Sequence, residues 1–396
     1  MIAKLAEIAN KQERTILGMM SGTSLDGLDL ALCVIRGAGK DTSLEVLQFK
    51  TISYAPSFVK EVKAIFSKPR IDLAKLCAMN AIIGSTHAAM VLDTLEDWNT
   101  PRKEVDLIAS HGQTVYHAPQ SLTGNYHVPN STLQIGDGDH VAVKTGIITL
   151  SDFRQKHVAA GGEGAPLAVY GDRLLFSHKE EDRFLLNIGG ISNFTYLPAA
   201  KYDTDNLLST DTGPGNTLMN HYMQQHFNQA FDDDGQFASK GTVHPKLLEA
   251  LFDHSFFALP TPKTTGPELF NLAYLTAAQK NSSTQKLAHE DVMATLAAFT
   301  VNSIALSIES IQTNDTIKKI LVSGGGFHNS NLMYHLQKRL PSYIVNPLDE
   351  LGVTSDAKEA ILFALLANET IAGNPQGMMG GIGAPTVSLG KISLPY

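Results

Sequence analysis

The sequence predicts two related mixed α/β halves, an expectation carried by its length, by a strand–turn–strand unit that occurs twice, and by the alternating helix and strand after each. A chain of 396 residues exceeds the size at which one hydrophobic core usually stops growing, so two domains are expected. In the first unit, "RTILGMM" and "LDLALCVI" are apolar, β-favouring runs joined by "SGTSLDG". In the second, "RFLLNIGGISNFTYLP", Arg183 to Pro198, repeats the arrangement without repeating the residues.

The elements follow in order. "LEVLQFKTISYA" reads as a third strand, and Pro56 to Trp98 as helices with recurring Leu, Ile, Ala and Met. "VDLIASHGQT" is a short buried strand that runs into a polar loop, and "HVAVKTGIITLSDFR" is a short helix, a stop at Gly146 and a strand. Three antiparallel strands followed by alternating helix and strand make a mixed α/β layer. After the second hairpin, "HPKLLEALFD" and "VMATLAAFTVNSIALSIESIQ" are helical, and "KKILVSGGGFHNSNLMYHLQKRL" is strand, glycine turn and helix. The acidic triplet Asp232 to Asp234 is read as a solvated loop in preference to a metal site.

Composition excludes several classes. Hydrophobic content of 43%, charged content of 18% and a net charge of −8 describe a globular protein without a basic surface for nucleic acid. Two cysteines, Cys33 and Cys77, are too few for a disulfide framework in so long a chain. The N-terminus, "MIAKLAEIANKQER", is too charged for a signal peptide, and no apolar run approaches the ~20 residues of a membrane span. A cytoplasmic protein without nucleic-acid or membrane partners is expected. The sequence leaves a homodimer open.

The chain has no Walker-type phosphate loop, no G-x-G-x-x-G dinucleotide turn, no H-E-x-x-H zinc site and no G-x-S-x-G nucleophile elbow. It offers instead four glycine turns after strands: "MSGTS", "NIGGISN", "DTGPGN" and "SGGGFHN". A plain hairpin needs only two turn residues, whereas the first turn has two glycines, three hydroxyls and an aspartate. It is either an irregular surface loop or an anion cradle of backbone N–H groups. Two such hairpins facing each other would hold a polyphosphate. Asp211 precedes Gly213-Pro214-Gly215 with a helix expected near Asn216, and so is either a cap or a functional acid. Gly324, Gly325 and Gly326 leave a backbone bare enough for a flat ring or ribose.

Eight ordered blocks now matter together: "GMMSGTSLDGLDLAL", "SHGQTVYH", "LQIGDGDHVA", "SDFRQKHVAAGGEGAPL", "NIGGISNFTYL", "DTGPGNTLM", "KTTGPELFN" and "LVSGGGFHNSNLM". From about Gly18 to Ala367 the chain resembles the anhydro-N-acetylmuramic acid kinase family, within the superfamily of sugar kinases, actin and Hsp70-type ATPases. The resemblance implies two ribonuclease-H-like lobes of the actin/hexokinase type with a nucleotide cleft between them. The lobes would span 1–165 and 166–374, with the tail 375–396 free to return to the first. It also implies the activity: ATP-dependent opening by water of the 1,6-anhydro bridge of an amino sugar, giving N-acetylmuramic acid 6-phosphate in peptidoglycan recycling, with Mg²⁺. Another sugar kinase of this superfamily, or an actin-like or Hsp70-like nucleotide switch, are the alternatives.

Site residues follow from the same resemblance. Gly18, Ser21, Gly22, Thr23, Ser24 and Asp26 of the first turn, with Asn187, Gly189 and Gly190 of the second, would hold ATP phosphates. Gly213 and Gly324 to Gly326 complete the nucleotide contacts. Asp211 is the expected catalytic base and Glu359 the second choice. The chain departs from the superfamily's D-x-G-x-T pattern, with Met19 ahead of Ser21-Gly22-Thr23. Asp26 and Asp29 are therefore the candidate Mg²⁺ carboxylates. Glu163 and His157 stand where relatives often have glutamine and an acid. Arg154 and Lys263 are candidate cations for the sugar's lactyl carboxylate.

Overall fold

The computed structural model describes residues 1–165, 167–202, 206–313, 317–351, 357–374 and 385–396. The chain divides into two compact units, Met1–Leu175 with Asp356–Tyr396, and Phe176–Ser355.

In the first unit, β1 (Glu13–Ser21) and β2 (Gly27–Arg36) form the expected hairpin, and β3 (Ser43–Ser53) continues it antiparallel. β4 (Leu107–Ala118) lies parallel to β1 on its other side, and β5 (Ser131–Ile135) pairs antiparallel with the far half of β4. β6 (Thr149–Ser151) runs parallel to β4. β1 is buried along nearly its whole length, as a strand covered on both faces must be, so it reads as a continuous apolar run. β3, with Glu45 and Lys50 exposed or half-exposed, is an edge that its charges protect. The helices Pro56–Lys63 and Leu73–Asp97 fall where the sequence places them, and Gly146 ends the helix Gly138–Thr145 at φ 75°.

The second unit repeats the plan. β7 (Glu181–Ile188), β8 (Ile191–Leu197) and β9 (Leu208–Pro214) form an antiparallel meander, with β10 (Ile317–Ser323) parallel to β7 and β11 (Ile344–Pro347) parallel to β10. Both sheets thus place three meander strands on one side and add the next strands parallel beyond the first, the topology of a ribonuclease-H-like lobe. The core of this unit packs Phe184, Phe194 and Tyr196 of the sheet against Met219, Phe299 and Ile304 of the helices.

The chain then returns to the first unit. The helix Lys358–Ala372 is buried from Ala360 to Glu369 and lies on β1, β2 and β4, and β12 (Lys391–Ser393) pairs with β6. Glu359 therefore belongs to the first unit and not to 166–374, where the sequence placed it, because that helix is the apolar cover of β1. Gly18 explains how closely it sits. A Cβ on Gly18 would fall on the carbonyl oxygen of Ala360, well inside contact distance. The far end is fastened by polar bonds: Arg14 Nε donates to Asn368 Oδ1 at 2.6 Å, and Gly39 N–H donates to the Glu369 carboxylate at 3.0 Å.

Two helices, Leu73–Asp97 and His289–Glu309, are long and apolar enough to cross a membrane by length and composition, contrary to the expectation from the sequence. The second is mostly buried inside its own unit, which accounts for its apolar character.

Gly18→Ala should lower the thermal midpoint of the protein by overpacking the β1 contact, a cost of about 1–3 kcal/mol. A melting curve unchanged from wild type would show that the helix can draw back freely.

Candidate active site

Three of the four glycine turns meet at one end of the second sheet. β7 and β10 are neighbours with Asn187 opposite Ser323, so the turns that follow them are side by side. The third turn docks on the second through the main chain: Gly215 N–H donates to Gly190 O at 2.9 Å and Asn216 N–H to Gly189 O at 2.8 Å. Asn216 Nδ2 adds a bond to Ile188 O at 3.2 Å. This contact needs a glycine, since a Cβ on Gly215 would strike Gly189 O.

The glycines divide by role. Gly324, at φ 83°, and Gly326 are required by packing, because a Cβ on either would meet Asn187 or Ile188. Gly213, at φ 140°, turns the buried end of β9. Gly190 is exposed, although a side chain there would press on Thr217 Oγ1. Gly189 and Gly325 have ordinary or open space around them, and their backbone is reachable from outside. Gly325 lines a cavity of about 410 Å³ with Asn216, Asn220, Phe231, His328 and Asn329. The acidic triplet borders this cavity, with Asp233 and Asp234 exposed as expected of a solvated loop and Asp232 turned inward. Asp232 is buried and accepts the N–H groups of Phe237 and Ala238 at 2.8 and 2.9 Å, and Asp234 accepts that of Ser330 at 2.9 Å.

Asp211 lies within β9, opposite Asn193, and not at a helix entrance. The helix Thr217–Phe227 starts beyond it, so Asp211 does not cap that helix. Its N–H donates to Lys263 O at 2.9 Å, and its Oδ2 accepts the Thr265 N–H at 2.8 Å. Oδ1 accepts no hydrogen bond from the described residues. Burial pushes the carboxyl above the ordinary aspartate range, and the Thr265 bond holds it partly back. Lys263 places its ammonium 4.5 Å from the Phe256 ring centre and donates to Phe256 O at 3.1 Å, so its charge is already engaged.

The first turn belongs to the first unit. Ser21 is buried, whereas Thr23, Ser24 and Asp26 are exposed. The Ser21 hydroxyl donates to Gln113 Oε1 at 2.6 Å, so its one proton faces inward and is not offered to a ligand. The Ser21 hydroxyl is thus engaged inside the first unit, and Gly18 is packed against Ala360. Gly22 has open space for a Cβ, its nearest neighbour being Ser24 Oγ at 3.5 Å. Ser24 Oγ donates to Asp26 Oδ1 at 2.7 Å, and that bond lowers the Asp26 pKa. Asp29 Oδ1 accepts from Thr51 Oγ1 at 2.6 Å.

Near this turn the first unit gathers a charged group that sequence order hides. Arg154 Nε donates to His111 Nε2 at 3.2 Å and its Nη1 to Gly164 O at 2.6 Å. Glu359 is exposed at the start of its helix. Surrounding protein raises its carboxyl, Arg154 opposes that shift and Asp29 adds to it. His157 Nδ1 accepts from Gly164 N–H at 2.9 Å, and desolvation first, then the Arg154 charge, lowers its pKa while Glu163 raises it. Among the described residues no group of three or more His, Cys, Asp or Glu is arranged to hold a metal.

A family model described as anhydro-N-acetylmuramic acid kinase matches residues 14–395. The chain belongs to the anhydro-N-acetylmuramic acid kinase family. It is a kinase. A protein of that name from Pseudoalteromonas atlantica is 49% identical over 398 residues, covering 100% of this chain and 99% of the relative. One from Pseudoalteromonas translucida is 48% identical with 99% and 98% covered, and one from Caldanaerobacter subterraneus is 39% identical with 99% and 100% covered.

For this member of the anhydro-N-acetylmuramic acid kinase family, Gly215→Ala should destabilise the second unit by about 1–3 kcal/mol by separating the docked turns. Gly189→Ala, with space for its methyl group, should melt near wild type. Equal midpoints for the two variants would mean that the turn contact does not need a bare backbone.

Proposed function

We propose that the protein is an ATP-dependent hydrolytic kinase that opens the 1,6-anhydro bridge of anhydro-N-acetylmuramic acid with water and phosphorylates the freed 6-oxygen. The products are N-acetylmuramic acid 6-phosphate and ADP, and the setting is cytoplasmic recycling of peptidoglycan. The observation that carries this reading is Asp211: a carboxylate fixed through Oδ2 by the Thr265 N–H, open at Oδ1, in the strand that leads into the docked glycine turns.

The bonds balance as follows. A water oxygen attacks the anomeric carbon while Asp211 takes its proton. The bond from that carbon to the 6-oxygen breaks, and the freed oxygen attacks the γ-phosphorus. The bond from phosphorus to the β,γ-bridging oxygen then breaks and ADP leaves. Phosphoryl transfer of this kind relies on positioning and charge stabilisation, which backbone N–H donors at Gly22 to Ser24 and Gly189 to Gly190 would supply. The cavity beside Gly325 suits the nucleoside, with Phe231 as an exposed ring and asparagines as polar partners. Glu359, under the field of Arg154, is the second acid that would act on water or sugar.

Magnesium fits this donor set. Mg²⁺ is usually bound by one or two carboxylates together with phosphates and water, so it does not need a full protein cage. The exposed Asp26, whose pKa is lowered by Ser24, and Asp29 would hold it. Once bound it would neutralise charge on the phosphate oxygens.

The deciding experiment is turnover in oxygen-18 water over a short time course. The proposed reaction puts the label on the anomeric oxygen, whereas a kinase acting on an ordinary hydroxyl incorporates none. Asp211→Asn should lower turnover roughly 10²- to 10⁴-fold with little change in ATP affinity. Because a base works only when ionised and this carboxyl is raised by burial, the wild-type rate should fall on acidification from above the usual ~4 of an aspartate. A near-normal rate in the Asn variant would reject the assignment. Gly22→Val, which has room to fold, should weaken ATP binding by calorimetry; unchanged affinity would remove the first turn from the phosphate site.

A further inference from the structure

Behind the first turn lies a buried chain of hydrogen bonds that the proposed chemistry does not use. Tyr54 Oη bonds to His87 at Nε2, 2.9 Å away, and donates to Ser21 Oγ at 2.7 Å. Ser21 Oγ donates to Gln113 Oε1 at 2.6 Å, and Gln113 Nε2 donates to Gly22 O at 3.2 Å and to Thr114 O at 3.3 Å. Tyr54, His87, Ser21 and Gln113 are all buried, and they come from the loop after β3, the helix Leu73–Asp97, β1 and β4.

The direction of the chain is determined at each link. Gln113 offers only an acceptor at Oε1, so the Ser21 proton goes there. Ser21 must then accept from Tyr54, and Tyr54, having given its proton, must accept from His87. His87 therefore carries its proton on Nε2, and Nδ1 is the bare lone pair, with no hydrogen-bond partner among the described residues. Burial lowers the His87 pKa to about 4, which keeps the ring neutral as this order demands. The last link reaches the backbone. The carbonyl of Gly22 and the N–H of Thr23 share one peptide plane and, across a trans bond, point in opposite directions. A carbonyl drawn inward by Gln113 turns the Thr23 N–H outward, on a residue that is itself exposed.

We infer that Gln113, held by the Tyr54–Ser21 hydroxyl chain, is the positioning residue that aims the Thr23 N–H at a phosphate oxygen of the nucleotide. This inference rests on the proposed use of the first turn for ATP. Gln113 does not touch the nucleotide. It fixes a peptide plane that would otherwise rotate, so the donor is aligned before ATP arrives.

The test compares Gln113→Glu, Tyr54→Phe and the double variant with Leu95→Ala, a core change in the same unit. Gln113→Glu keeps the acceptor for Ser21 and loses the donor to Gly22. Tyr54→Phe keeps the ring and cuts the chain one link earlier. All are assayed well below their thermal midpoints, with ATP-analogue affinity by calorimetry and KM for ATP and for the sugar measured separately. Expected are a KM for ATP raised roughly tenfold in each single variant, a KM for the sugar within about twofold, and a double variant no worse than the poorer single. Leu95→Ala should lose midpoint and keep its KM for ATP. If the single variants lose stability alone and bind the analogue like Leu95→Ala, Gln113 is structural and the inference fails. If the wild type itself does not bind the analogue, the parent reading fails instead.

Discussion

Main-chain hydrogen bonds between glycine turns hold the second unit's part of the candidate site, and the rest of that site depends on them. In the second unit the carbonyls of Gly189 and Gly190 accept the N–H groups of Gly215, Asn216 and Thr217. These bonds bring β7, β9 and the start of the helix Thr217–Phe227 to one place. Gly215 and Thr217 are buried, so an N–H of theirs left without its acceptor costs desolvation and the turns cannot drift apart without loss. Asp211 takes its position from that assembly, since the strand that carries it ends in the docked turn.

The first unit solves the same problem largely with side chains. Its turn accepts one main-chain bond, from the Tyr54 N–H to Asp26 O at 3.2 Å, and Gln113, Ser21 and Tyr54 add the side-chain partners. The two hairpins thus share a topology and differ in how their loops are fastened. That difference matches the residues available: "NIGGISN" has bare glycine carbonyls for a neighbour to approach, while "SGTSLDG" begins with a hydroxyl that can turn inward.

Glycine serves two purposes here that the sequence does not separate. Gly18, Gly215, Gly324 and Gly326 permit close approach of other parts of the protein, whereas Gly22, Gly189 and Gly325 have ordinary or open space where a Cβ would stand. Apart from Gly18, which lies within β1, both kinds stand in the turns after strands. Only the atom that a Cβ would meet tells them apart. The same holds for the acids, where Asp232 is committed to two N–H groups and Asp26 stays exposed on its turn.

The sequence alone determined the two hairpins, most of the helices around them and the candidate acids, because these depend on local periodicity and turn chemistry that neighbouring residues carry. It also held enough ordered blocks to point to the family. Tertiary structure decided what lies far apart in the chain. The helix Lys358–Ala372 returns to cover β1 because Gly18 lets Ala360 approach, and Tyr54 and Gln113 meet at Ser21 with His87 behind Tyr54, each from a separate part of the chain. Asp211 is held by Thr265, fifty-four residues on, and nothing in "DTGPGN" announces that partner. Such contacts follow from how sheet and helices pack, where burial and hydrogen-bond satisfaction over the whole unit, and not the local pattern, select the partner.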